Sequence, residues 1–212
     1  VTKTTWIGVA AAAALVLGMS ANASAQAKGP AFDCAKADGT VQKLICSDEA
    51  LAALDRKLDA AYKGAVAKAK GPMLNTLKAE QRGWIKGRDD CWKAKSSETW
   101  LTESWIVKDV RSCVDGQYQL RIAELQVMWQ LVPSQPAVSY ACNNNPANEV
   151  VVQFFQTTPP AGRFERGDQT VVGYQVKTAS GARYEGRNLA FSNKGSDATV
   201  TWLGEELKCK AR

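Results

Sequence analysis

Two stretches of this chain hold side chains whose types and spacing could do chemistry. The first is Glu80-Gln81-Arg82-Gly83-Trp84-Ile85-Lys86-Gly87-Arg88-Asp89-Asp90-Cys91. On a helix Gln81, Trp84, Arg88 and Cys91 fall at i, i+3, i+7 and i+10, so they share one face. An arginine sharing a face with a tryptophan predicts a partly buried ion pair, with Asp55 or Glu124 as partner. Its expected role is architectural, with the guanidinium stacked on the indole. Asp89 and Asp90, adjacent on a helix, point in different directions and make no acid–base pair. The second stretch is Ser180-Gly181-Ala182-Arg183-Tyr184, followed by Lys194-Gly195-Ser196-Asp197-Ala198. Two glycine-containing turns there each present one polar side chain, Ser180 and Lys194. A hydroxyl and an amine are the parts of a Ser-Lys hydrolase, but neither the S-x-x-K spacing nor the G-x-S-x-G elbow is present.

The chain of 212 residues contains no histidine. That excludes Ser-His-Asp and Cys-His nucleophile systems and any zinc site with imidazole ligands, leaving acid–base work to carboxylates, Lys, Tyr or Cys. The six cysteines show no CxxC spacing, which argues for disulfides over metal. No metal or cofactor is expected. The net charge of +6 is spread along the chain without the concentrated basic stripe of a nucleic-acid binder. No nucleic-acid partner is expected either.

The elements that must position these residues change character along the chain. Residues 1–25 read as a signal peptide: Lys3, an apolar run from Trp6 to Leu17, then small residues at Ala21, Ala23 and Ala25. Cleavage is expected after Ala25. No cysteine lies at the cleavage point to accept a lipid, so the expected product is a periplasmic or secreted protein without a membrane anchor. An oxidising compartment then predicts three disulfides. Leu51, Leu54, Leu58 and Tyr62 repeat with helical spacing, with Ser47 as the expected N-cap. Gly71-Pro72 should end that helix and start a second, running to about Lys95. Trp100, Trp105, Ile106, Val110, Tyr118, Ile122, Leu125 and Trp129 predict a long third helix.

Residues 131–138, with Pro133 and Pro136, read as a linker. Beyond them come six short β-rich runs separated by turn residues: 139–143, 149–156, 170–177, 188–192, 198–203 and 206–210. They predict a small antiparallel barrel or sandwich. A domain of this size has a marginal core and needs a staple. Cys142 and Cys209, its first-strand and last-strand cysteines, are the natural pair. Cys34, Cys46, Cys91 and Cys113 must pair within the helical part. Of three connectivities, Cys34–Cys91 with Cys46–Cys113 is the one expected here.

Residues 139–212 resemble the C-type lysozyme inhibitor family, known in membrane-bound and periplasmic versions. The matching residues are Tyr140-Ala141-Cys142, Ser180-Gly181-Ala182-Arg183-Tyr184, Lys194-Gly195-Ser196-Asp197-Ala198 and Cys209. The resemblance implies a partner, C-type lysozyme, with Ser180 and Lys194 entering its active-site cleft. Gly181, Arg183 and Gly195 would complete the contact loops, and Tyr184 would support them. Ser192 departs from the family, which commonly has an aromatic there. Residues 32–129 resemble the LprI-type domain, a helical exported module also linked to lysozyme inhibition. That likeness rests on Phe32-Asp33-Cys34, Leu44-Ile45-Cys46, Leu54-Asp55, Tyr62, Gln81-Arg82-Gly83-Trp84, Arg88, Cys91, Cys113, Tyr118 and Arg121. The expectation is a two-domain protein: an all-α, disulfide-bonded helical domain over 30–130, then a small antiparallel β-barrel over 139–212. It should be an inhibitor and not an enzyme. The competing reading is an envelope-binding adaptor whose helical domain docks an unknown partner.

Overall fold

The computed structural model describes residues 1–2, 29–94, 98–99 and 106–212. Most of the expected leader, Lys95 at the expected end of the second helix, and Trp100 and Trp105 lie outside the described residues. The helical part holds α1 (Thr40–Ser47), α2 (Glu49–Lys68), α3 (Pro72–Asp89) and α4 (Val110–Met128), with single 3-10 turns at Cys34–Lys36 and Asp90–Lys93. A two-residue pair, β1 (Glu98–Thr99) with β2 (Ile106–Val107), stands between α3 and α4. The third helix therefore starts at Val110, about ten residues later than the aromatic periodicity predicts.

Each helix starts for a local reason. The Asp48 side chain accepts from the Ala50 and Leu51 amides and caps α2, so the cap is Asp48 and not Ser47, which closes α1. Gly71, at φ +55, turns the chain into Pro72, the first residue of α3, where a missing N–H costs nothing. Asp109 and Ser112 form a capping box on α4. Ile45, Leu51, Leu58, Leu77, Val114, Tyr118 and Leu125 meet in the helical core.

The second part is a closed eight-stranded antiparallel barrel: β3 (Val138–Cys142), β4 (Asn145–Phe155), β5 (Ala161–Arg166), β6 (Gln169–Val176), β7 (Ala182–Gly186), β8 (Leu189–Lys194), β9 (Asp197–Trp202) and β10 (Glu205–Ala211). Closure removes both sheet edges, because β10 pairs with β3 as well as β9. Two strands, β5 and β7, were not among the six apolar runs. Their sequences, AGRFER and ARYEG, put one large apolar side chain each into the core. Tyr140, Phe164, Tyr184, Phe191 and Trp202 fill the barrel.

Three disulfides are present, and two of them correct the expected pairing. Cys34 bonds Cys46, and Cys91 bonds Cys113. The cause is local folding. The turn at Cys34 folds back on α1, which carries Cys46, while the turn after α3 brings Cys91 to the first turn of α4. Cys142 and Cys209 face each other across β3 and β10 and are bonded. They span 67 residues, which by loop-closure entropy stabilises by about 4 kcal/mol.

The linker is ordered. The Gln135 amide donates to the Phe154 carbonyl, the Gln156 amide donates to the Pro133 carbonyl, and Ser134 bridges Phe155. Ala123 and Val127 of α4 pack with Phe155, Ala161 and Tyr174 of the barrel in a third apolar cluster. The Tyr174 hydroxyl donates to the Leu120 carbonyl at 3.2 Å. The helical part and the barrel thus share a core.

Candidate functional site

The β6–β7 loop and the β8–β9 turn lie at the same end of the barrel, since each follows a strand running the same way. Ser180 and Lys194, both exposed, line one groove of about 540 Å³. What brings them together is Gly181. Its φ of +71 favours glycine, and a Cβ there would stand 2.3 Å from the Asn193 carbonyl oxygen. Only a bare Cα lets the Ser180 loop lie directly on the backbone next to Lys194. The Thr178 hydroxyl donates to the Ser180 carbonyl and folds the loop on itself. Gly195, at φ +64, makes the turn beyond Lys194.

Other groove residues were missed by sequence reasoning. Lys208 and Lys210 of β10 line it, with Asp197 as the opposing charge. The signal was the period-two pattern of β10, where Leu207 and Cys209 point inward and Lys208 and Lys210 outward. Tyr184, expected to support the loops, and Arg183, expected as a contact, both sit outside the groove. Tyr184 is buried in the barrel core against Phe154, Phe164 and Phe191, so it supports the fold and is not available to a partner. Burial pushes its phenol up. Arg183 is exposed but is paired with Glu185 at 2.7 Å and does not line the groove.

The arginine-bearing face of α3 forms a separate cluster. Arg88 donates to the Tyr118 hydroxyl at 2.9 Å, and that hydroxyl donates to Asp55 at 2.8 Å. Two further guanidinium N–H groups reach Asp89. Asp55, the predicted partner, lies 3.8 Å from Arg88. The guanidinium also sits over Trp84 and Tyr118, at 5.5 and 5.7 Å from the ring centroids. Burial drives the Tyr118 phenol far up despite the nearby cation, so it stays a neutral relay between the two charges. Glu124, the alternative partner, pairs with Arg121, which also donates to Gln81. The contacts among Arg88, Tyr118, Asp55 and Asp89 hold three helices together, which is an architectural role, while the buried Trp84 Nε1 and Arg121 Nη2 have no hydrogen-bond partner among the described residues. Among the described residues no cluster of His, Cys, Asp and Glu side chains offers a metal site.

A disulfide-bonded helical module joined to a small barrel with a cationic groove is the build of a binding protein. Residues 140–208 match the family described as membrane-bound lysozyme-inhibitor of c-type lysozyme, and residues 33–125 match the family described as lysozyme inhibitor LprI. These are families of inhibitors and not of enzymes. The chain is similar to lipoprotein LprI of Mycobacterium tuberculosis and of Mycobacterium bovis, with 28% identity over 97% of this chain and 98% of each relative. It is also similar to Pseudomonas aeruginosa MliC, crystallised in complex with hen egg white lysozyme: 27% identity, TM-score 0.33, covering 38% of this chain and 86% of that chain. No helix among the described residues is long and apolar enough to cross a membrane.

Proposed function

We propose that this chain inhibits C-type lysozyme by inserting the Ser180 and Lys194 loops into the enzyme's active-site cleft. The observation that carries the reading is the groove where these two side chains converge, in a chain whose two parts each match a lysozyme-inhibitor family. A retaining glycosidase works with two carboxyl groups, one ionised and one protonated, flanking the bond it cuts. Lys194 is a point cation for the ionised group, and the Ser180 hydroxyl can donate to or accept from the other. A charge-assisted bond shielded from water is the stronger kind. Lys208 and Lys210 keep the groove positive around that contact. Long-range steering contributes little, because this chain is basic and C-type lysozymes are basic as a class. The protein acts after export, in the periplasm or outside the cell, where it protects peptidoglycan.

The test is a turbidity assay with purified protein, lysozyme and a cell-wall suspension. Clearing should slow as the protein approaches equimolar with lysozyme. Undiminished clearing at a large molar excess would overturn the reading and favour the adaptor. Clearing without lysozyme would make the protein an enzyme.

A further inference from the structure

Between α1, α2, α3 and the segment at 31–36 the helical part forms an open-mouthed cavity of about 460 Å³, within the size range of small-molecule sites. Its walls combine three aromatic rings, Phe32, Tyr62 and Trp84, with the side-chain amides of Gln42 and Gln81. Gln42 Nε2 donates to Asp89 and Gln81 Oε1 accepts from Arg121, so the acceptor Gln42 Oε1 and the donor Gln81 Nε2 remain for a ligand. The carboxylates around it are already balanced within the protein. Asp33 lies 4.0 Å from Lys36, Asp59 is paired with Lys63 at 2.7 Å, and Asp55 is held by Tyr118 and the Ala31 amide. No uncompensated charge is left to select an ion.

We propose that this cavity binds a neutral saccharide, one or two pyranose rings in size. A pyranose has an apolar C–H face that packs on aromatic rings and a rim of hydroxyls that both donate and accept. That matches a cavity of aromatic walls, amides and internally neutralised charges. A purely apolar ligand would offer nothing to Gln42 Oε1 and Gln81 Nε2, the amide atoms not bonded to Asp89 and Arg121, and an ion would meet no opposite charge. The site lies in the helical part, away from the barrel groove, and does not depend on lysozyme binding.

Ile85 stands at the cavity and is exposed, so Ile85→Arg should fill the entrance without disturbing the core. The experiment titrates the full chain, without lysozyme, with diacetylchitobiose and separately with cellobiose by calorimetry. Saturable binding of at least one is expected, weakened about tenfold or more in Ile85→Arg at unchanged melting temperature. The arms tell an N-acetylated glycan from a plain glucan. A second readout on unaltered protein is saturation transfer between sugar protons and the rings of Tyr62 and Trp84. No binding of either sugar at millimolar concentration overturns the proposal. So does binding that Ile85→Arg leaves intact, or that transfers nothing to those rings.

Discussion

Lys194 and Ser180 should differ in what their loss costs. Lys194→Ala removes one half of a desolvated charge pair, a change that typically costs about 2–5 kcal/mol of binding, whereas Ser180→Ala removes a hydrogen bond of roughly 0.5–1.5 kcal/mol. Lys194→Arg should also impair, since a planar fork does not fit a pocket shaped for a point charge. An inhibition titration of the variants beside their melting curves checks this. Melting should barely move, because both side chains are exposed on loops. A folded Lys194→Ala protein that inhibits like the parent would sink the plug mechanism. Gly181→Ala tests positioning: the new methyl would strike the Asn193 carbonyl, so the loop must lift, and inhibition should fall with Ser180 itself intact.

At the scale of elements, the cap of α2 is a pH-sensitive contact. A hydrogen bond from Arg111, at 2.7 Å, and the Leu51 amide hold the Asp48 carboxyl below the usual carboxylate range. Because the folded value is depressed, its contribution is complete above the unfolded carboxylate range, near pH 4, and is lost as pH falls through the folded value. Asp48→Ala should cost about 1 kcal/mol at neutral pH and flatten the acid limb of a stability-versus-pH curve. A variant whose acid limb matches the parent's would show that Asp48 is not the group titrating there. The Arg88 cluster is a harsher case. Arg88→Met leaves Asp55 buried without its cation, and breaking such a pair typically costs about 3–5 kcal/mol. Tyr118→Phe, which removes only the relay hydroxyl, should cost less. Chemical denaturation of both variants reads the order directly.

For the whole molecule, the decisive element is α4, which is buried on two sides. Val114, Tyr118 and Ile122 face the helical core, while Ala123 and Val127 face the barrel. A helix apolar on so much of its surface belongs between two bodies. Tyr174, whose phenol burial drives far up, seals the contact from the barrel side. The full chain should therefore unfold in one cooperative transition. Residues 138–212 expressed alone should still fold, since the barrel is closed and stapled. They should melt at a lower temperature than the barrel in the intact chain, because Phe155, Val172 and Tyr174 lose their cover. Calorimetry of the two proteins checks it. Two separate transitions in the full chain would show that the shared core contributes little.

Much of this was legible in the residues themselves. Helical spacing from Leu51 to Tyr62, the Gly71-Pro72 break, the switch to short strands after the prolines and the absence of histidine depend only on local periodicity and side-chain chemistry. The pairing of Cys142 with Cys209, the two cysteines of one small domain, was legible too, whereas Asp55 was one of two partners offered for Arg88 and only packing chose it over Glu124. The tertiary structure decided what depends on chain reversal. Cys34 found Cys46 because a turn folds back on α1, a path that spacing does not encode. β5 and β7 escaped notice because each supplies one large side chain to a core whose other walls come from distant strands. Lys208 and Lys210 joined the groove because β10 pairs with β9, which sets Lys208 opposite Thr199 and Lys210 opposite Asp197. Local pattern determines which elements form and which face is apolar. Long-range packing determines which of those faces meet.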